Sequence, residues 1–166
     1  MKTVYTLNSY QLLAVKAFTE LLQLKNYSYV TLKSYCHHFT AFITFYPAKK
    51  PSAITKEEVQ QYMLCNIEKN NPSPSTQNVI INAIKFFYKE VLNRSREVYQ
   101  LPRPQKEDKL PTVFDETEIA AIIKAAENLK HKTMLCSAYS GGLRVSEIVN
   151  LKIQDVDSKR MVINIR

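Results

Sequence analysis

A chain of 166 residues, 45% of them hydrophobic, is long enough for one ordinary domain or two small ones, and nothing in it has the composition of a disordered segment. It holds no apolar run long enough to span a bilayer and no signal-peptide pattern at Met1-Lys2-Thr3-Val4, so a cytoplasmic protein without membrane contact is the expectation. The net charge of +8 sits mostly in the first part, where residues 1–104 carry 13 Lys/Arg against 6 Asp/Glu while residues 105–166 carry 10 against 9, and such a surplus points to a polyanionic partner, nucleic acid first.

Asn8 or Ser9 caps a first helix to about Lys25, with Tyr10, Leu13, Ala14, Ala17, Phe18 and Leu21 recurring at steps of three and four. A second follows the turn at residues 26–30, turns Leu32, Tyr35, Cys36, Phe39 and Ile43 inward, and stops at Pro47. The third opens on a capping box, Thr55 with Glu58, and on Ile54, which is placed to staple onto Val59; it runs through Tyr62, Met63 and Ile67 to Asn70-Asn71-Pro72. Ser73-Pro74 or Ser75 starts a fourth, whose apolar face is Ile80, Ile81, Ile84, Phe87, Tyr88 and Val91. Four such helices joined by short turns bury their stripes against one another as a bundle over residues 5–95.

The outside of that bundle carries the basic character. On the fourth helix Asn78, Asn82, Lys85 and Lys89 fall at steps of four, three and four, a polar and basic ridge opposite the core; on the second, Lys33 and Ser34 lie near its start. Asn, Gln and Lys ridges suit base edges and phosphates, and a solvated helix face has the same pattern. Cys36, Cys65 and Cys136 are odd in number and scattered through apolar helical patterns, which makes them reduced core residues. His37 and His38 have no ligand partners at useful spacing, so they read as solvated helix positions, and no metal and no cofactor is expected.

Residues 94–113 are proline-punctuated and charged without a helical period, an extended linker whose Lys/Arg content suits a phosphate backbone. Asp115 then caps a fifth helix, with Glu118 at its third position and Phe114 placed to staple onto Ile119. Residues 132–139 make a sixth helix and 143–151 a seventh, and Met161-Val162-Ile163-Asn164-Ile165-Arg166 has the character of one strand without a partner. Gly141-Gly142, the two glycines of the chain, form the tight turn between helices six and seven and fix where Arg144 points. Past it, Leu143, Val145, Ile148, Val149 and Leu151 form a buried stripe, and Glu147, three residues on from Arg144, orients the guanidinium. A planar, permanently charged fork of this kind suits bidentate binding of phosphate; a surface ion pair on an ordinary helix is the plainer reading.

The run from Tyr139 to Asp157 (Y-S-G-G-L-R-V-S-E-I-V-N-L-K-I-Q-D-V-D) resembles, nearly position by position, the segment of tyrosine recombinases (phage-integrase and Xer-like site-specific recombinases) that carries their first catalytic arginine. The bundle resembles their core-binding domain through Thr31, Tyr35 and Phe42 on helix two, and more loosely through Ser73 or Ser75, Gln77, Asn78, Ala83, Phe87 and Tyr88 on helix four. The resemblance implies a mainly α fold: a four-helix core-binding (SAM-like) bundle over residues 1–104, a linker over 105–113, and over 114–166 part of an α+β catalytic domain with helices and one β-strand. It implies that Arg144 binds the scissile DNA phosphate, that Glu147 supports it, and that helices two and four face double-stranded DNA, with Thr31, Lys33, Ser34, Gln77, Asn78, Asn82, Lys85 and Lys89 as contacts. The reaction implied is site-specific recombination or integration, as in mobile elements, through a phosphotyrosine intermediate and without metal, with further recombinase protomers on the DNA.

The family's later catalytic lysine, His-x-x-Arg, His or Trp, and tyrosine nucleophile match nothing in this chain. Lys159 and Arg160 precede the strand, and Tyr139 packs at helical spacing with Leu135 as a core residue, so the chain by itself is expected to be inactive. The alternatives are a non-catalytic DNA-binding remnant and a helical protein-interaction module.

Overall fold

A computed structural model describes residues 7–94, 101–105 and 110–165, and the chain divides into two compact units, Met1–Asp108 and Lys109–Arg166. In the first unit the capping signals start the helices where the side chains dictate. Asn8 caps α1 (Ser9–Leu24) in a reciprocal box with Gln11, Ser28 caps α2 (Tyr29–Thr44), and Thr55 with Glu58 caps α3 (Lys56–Asn70). Ser73 caps α4 (Pro74–Phe86), whose first position is proline, where no helical N–H is needed. Asn71 ends α3 in the left-handed conformation at φ 39°.

The core of the unit forms where α4 packs on α2 and α2 on α1. Phe18, Leu22, Phe39, Phe42, Ile43, Ile80, Ile81, Ile84 and Phe87 are all 2% exposed or less. Their centre is aromatic: the rings of Phe18 and Phe39 stack at 4.4 Å, Phe39 meets Phe87 at 4.5 Å, and Phe86 comes edge-on to Phe18 at 5.3 Å. Each such side chain contributes about 1.5–3 kcal/mol by leaving water, and the paired rings somewhat more. Ile54 and Val59, the expected staple, are both buried in this cluster.

Three features of the unit depart from the reading by periodicity. Tyr10 and Leu13 are 54% and 66% exposed, because the buried stripe of α1 runs one residue further on, through Gln11, Phe18 and Leu22. Gln11 is polar and 1% exposed; its Nε2 donates to the Ile43 carbonyl at 2.7 Å, near the end of α2, where that oxygen also accepts the Tyr46 N–H at 3.3 Å. Secondly, α4 continues as a π-helical turn, Phe87–Val91. Phe86, Phe87 and Tyr88 are consecutive and all buried, since three different neighbours cover them: Phe86 meets Tyr27 and Tyr35, Phe87 meets Phe39, and the Tyr88 hydroxyl donates to the Pro51 carbonyl at 2.9 Å. Thirdly, the linker is not free of the bundle. Leu101 is 6% exposed and belongs to the core cluster, and with Pro102 it lines a groove that Met63, Ile67, Gln77 and Ile81 complete.

The second unit contains α5 (Glu116–Ala125), α6 (Leu129–Gly141), α7 (Val145–Asn150) and two short strands, β1 (Val156–Asp157) and β2 (Val162–Ile163). The single unpaired strand is thereby corrected: Val162-Ile163 pairs antiparallel with Val156-Asp157, in the register Val156 to Ile163 and Asp157 to Val162. The Asp157 side chain closes the turn by accepting from the backbone N–H of Lys159 and of Arg160, each at 3.0 Å. Helix α6 begins at Leu129 rather than Lys132, because the Asn128 side chain caps it through the N–H groups of Lys130 and His131.

The apolar stripe expected after the glycine turn is not buried as a whole. Ile148 is 9% exposed, but Val145 and Val149 are 79% and 66% exposed, since nothing described in this unit packs on their side of the helix. Tyr139, expected in the core, is 56% exposed for the same reason, and Phe114 lies 55% exposed instead of stapled. Among the described residues of this unit only Ile148 and Asp155 are buried. Of the cysteines, all free thiols, Cys36 is partly buried and packs against the core, Cys65 is partly buried, and Cys136 is exposed and not a core residue. Of the two histidines read as solvated, His37 is exposed, whereas His38 is half-buried and its imidazole is held below the ordinary range by burial and by the neighbouring His37.

Candidate functional site

The ridge on α4 is divided by its surroundings into two electrostatically different ends. At the first, the Asn78 Nδ2 donates to the Pro74 carbonyl at 3.1 Å, which turns its Oδ1 outward. Arg103, from the segment packed back over the bundle, then donates to that Oδ1 at 3.3 Å and to the Asn82 Oδ1 at 3.1 Å. Lys85 completes this end; burial, and next the charge of Arg103, lower its pKa below the usual lysine value. At the other end Glu90 pairs with both Lys89 and Lys25, and these two ammonium groups draw its carboxyl down to about 2. The polar and basic ridge is thus half covered: Asn78, Asn82 and Lys85 are partly buried, Arg103 is bonded to the two asparagines, and Lys89 is compensated.

The other sequence-derived candidates of this unit stand apart from that cluster. Thr31 is held at the start of α2, its hydroxyl 2.9 Å from that of the cap Ser28. Lys33 is exposed and Ser34 half-buried on the same helix. Gln77 turns to the groove side of α4, where its Nε2 donates to the Pro72 carbonyl at 3.0 Å. Arg103 is the residue that reading by helical period missed, because its position depends on a linker folding back rather than on any repeat along a helix.

In the second unit the elbow between α6 and α7 is built from its glycines outward. Gly142 takes φ +60°, where a Cβ would be strained, and it ends α6. Arg144 follows in extended conformation as the residue before α7, not as a member of the helix. Glu147 reaches back to it twice: one carboxylate oxygen accepts the Arg144 backbone N–H at 2.8 Å and the other accepts from Nη1 at 2.8 Å. The backbone N–H first, and then the guanidinium, hold the Glu147 carboxyl below the usual range. The Arg144 side chain is 82% exposed, with a fork fixed at one nitrogen and open at the others, while that of Glu147 is 21% exposed. Such a geometry presents planar N–H donors on a rigid turn, the form that recognises a phosphate.

Among the described residues no group of three or more His, Cys, Asp or Glu is placed to hold a metal ion, and no helix is long and apolar enough to cross a membrane.

The fold is mainly helical with a small two-stranded sheet, and its first unit is of the SAM-like type. The profile of the phage integrase N-terminal SAM-like domain matches residues 15–97, and that of the phage integrase family matches residues 112–166. The tyrosine recombinase XerA of Pyrococcus horikoshii is 31% identical over 153 residues, 92% of this chain and 51% of its own. Tyrosine recombinase XerC of Staphylococcus aureus is 31% identical over 154 residues, 86% of this chain and 51% of its own. The crystal structure of a XerA recombinase superimposes with a TM-score of 0.50 at 29% identity, over 94% of this chain and 55% of that one. The chain belongs to the phage-integrase family of tyrosine recombinases. It spans about half the length of the curated relatives it matches.

Proposed function

We propose that this chain supplies the DNA-binding unit and the first catalytic arginine of a site-specific recombinase acting on double-stranded DNA. The observation that carries the reading is the Gly142 elbow, which presents an exposed Arg144 fork oriented at two points by Glu147 within the segment that matches the phage integrase family. Arg144 binds the scissile phosphate and stabilises the charge that builds on it, and Glu147 holds the guanidinium in place. In the reaction a tyrosine hydroxyl attacks the phosphorus, a 3′-phosphotyrosyl bond forms, and the 5′-oxygen leaves with a proton; the 5′-hydroxyl of a second strand reverses the step. The first unit binds the duplex through α2 and α4, with Thr31, Lys33, Ser34, Gln77, Asn78, Asn82, Lys85 and Lys89 as contacts, and other recombinase protomers share the DNA. The setting is the cytoplasm, and a mobile element is the source of the substrate.

The test is Arg144→Lys in a form of the protein that carries a complete catalytic domain. Lysine keeps the charge and loses the fork, so strand cleavage should fall by about a hundred- to a thousandfold, the loss typical of one oriented donor to a developing oxyanion, while melting temperature and site binding stay as they were. Undiminished formation of the covalent protein–DNA adduct on a nicked substrate would remove Arg144 from the chemistry. An exposed ion pair alone would cost less than about 1 kcal/mol of stability and leave the rate unchanged.

A further inference from the structure

Among the described residues, the covered end of the α4 ridge contains two cations and no anion. Arg103 is held by the amide oxygens of Asn78 and Asn82, which are neutral, so it is fixed in place without a countercharge from them. A guanidinium has five N–H donors, and one on each terminal nitrogen is used here, which leaves three to take a bidentate ligand. Lys85 stands beside it, partly buried, with its charged form made less favourable by burial and by the arginine. Among the described residues neither cation is paired with a carboxylate, in contrast to Lys25 and Lys89, which share Glu90, and to Lys49, which pairs with Glu58. A guanidinium held by neutral acceptors beside a second cation forms a site that an anion completes.

We propose that Arg103 and Lys85 form a clamp for the phosphate backbone of duplex DNA, in which Asn78 and Asn82 are positioning residues that hold the guanidinium over α4. The proposal rests on the DNA-binding reading of this unit and specifies where the phosphate sits. It assigns the electrostatic centre of the unit to a linker residue rather than to the far end of the ridge, and it gives the two asparagines a task other than reading bases. A surplus of basic residues in the first part of the chain favours a polymeric phosphate over a free ion.

Fluorescence anisotropy of the full chain with a labelled duplex, titrated across a salt series, tests it. Removing one phosphate contact lowers the steepness of log affinity against log salt by about one. Arg103→Gln is expected to lower the steepness by about one and affinity by roughly five- to tenfold, and Arg103→Gln with Lys85→Gln to lower the steepness by about two. Lys49→Gln, at a cation already paired with Glu58, should change it by less than either. Asn78→Ala with Asn82→Ala should weaken binding a few-fold to the same extent on two unrelated duplexes while keeping the slope. Arg103→Lys, which keeps the charge and loses the fork, should keep the slope at reduced affinity, and circular dichroism melting should be unmoved in the Arg103 and Lys85 variants. If the unaltered chain binds with a steep salt dependence and Arg103→Gln matches it, the clamp is refuted and the DNA-binding reading stands. Absence of binding by the unaltered chain overturns both. Asparagine effects that differ between the two duplexes would overturn the positioning role, and displacement of duplex by orthophosphate beyond that of chloride at equal ionic strength would overturn the assignment to a polymer backbone.

Discussion

At the scale of single residues, the contrast between Glu90 and Glu147 shows how one side-chain type serves two ends. Glu147 is bound by a backbone N–H and a guanidinium at a turn, so it orients a cation that stays 82% exposed; Glu90 lies between Lys89 and Lys25 and quenches both. The second arrangement has a measurable signature in pH. The folded-state pKa of Glu90, about 2, lies below the usual value of 4.5, so its stabilisation is present in full above that value and is lost as the pH falls from about 4.5 toward 2. Glu90→Gln should therefore melt with a smaller loss between pH 5 and pH 3 than the unaltered chain, and lie closest to it at the acidic end. Equal loss of melting temperature over that interval in both proteins would mean that the pair contributes nothing.

At the scale of elements, α4 is the member on which the first unit depends. It packs on α2, offers its other flank to Leu101 and Arg103, and ends in a π turn that lets Phe86, Phe87 and Tyr88 each find a different neighbour. The ring of Phe39 on α2 stacks on Phe18 and meets Phe87, thereby joining α1, α2 and the end of α4. Phe39→Ala leaves a cavity at that junction and should cost about 3–5 kcal/mol in a denaturant titration, whereas Tyr10→Ala, on the exposed side of α1, should cost less than about 1. A Phe39→Ala loss below about 1 kcal/mol would show that the aromatic junction does not hold the helices together.

At the scale of the whole molecule, the two units differ in how much they bury. The first has a continuous core from Phe18 to Leu101, while the second, among its described residues, buries only Ile148 and Asp155 and exposes Val145, Val149, Ile153 and Met161. Local stability follows buried apolar contact, so native-state hydrogen exchange of this chain should show strong protection in α2 and α4 and weak protection in α5, α6 and α7. Protection of α6 equal to that of α4 would contradict the expectation. For the chemistry, a single arginine fork in the role proposed for Arg144 does not by itself complete phosphoryl transfer, and this chain of 166 residues should yield no covalent adduct on a nicked duplex. An adduct would make one of its tyrosines a nucleophile.

What the sequence determined by itself was local. Caps at Asn8, Thr55, Ser73 and Asp115, the Pro74 start and the Gly142 turn each act within four residues of chain, so the helices and the Arg144–Glu147 pair were legible from spacing and residue type. The wording of the Arg144 segment also carried the family. Tertiary structure decided what depended on neighbours distant in sequence. Gln11 is buried because it meets the Ile43 carbonyl on another helix, Phe86 because Tyr27 and Tyr35 cover it, and the second strand is paired because the chain turns back at Asp157. Arg103 lies on the α4 ridge because Leu101 anchors the linker in the core. Periodicity describes which side of a helix is apolar, whereas burial and charge compensation depend on what arrives to face it, and that is a property of the folded chain.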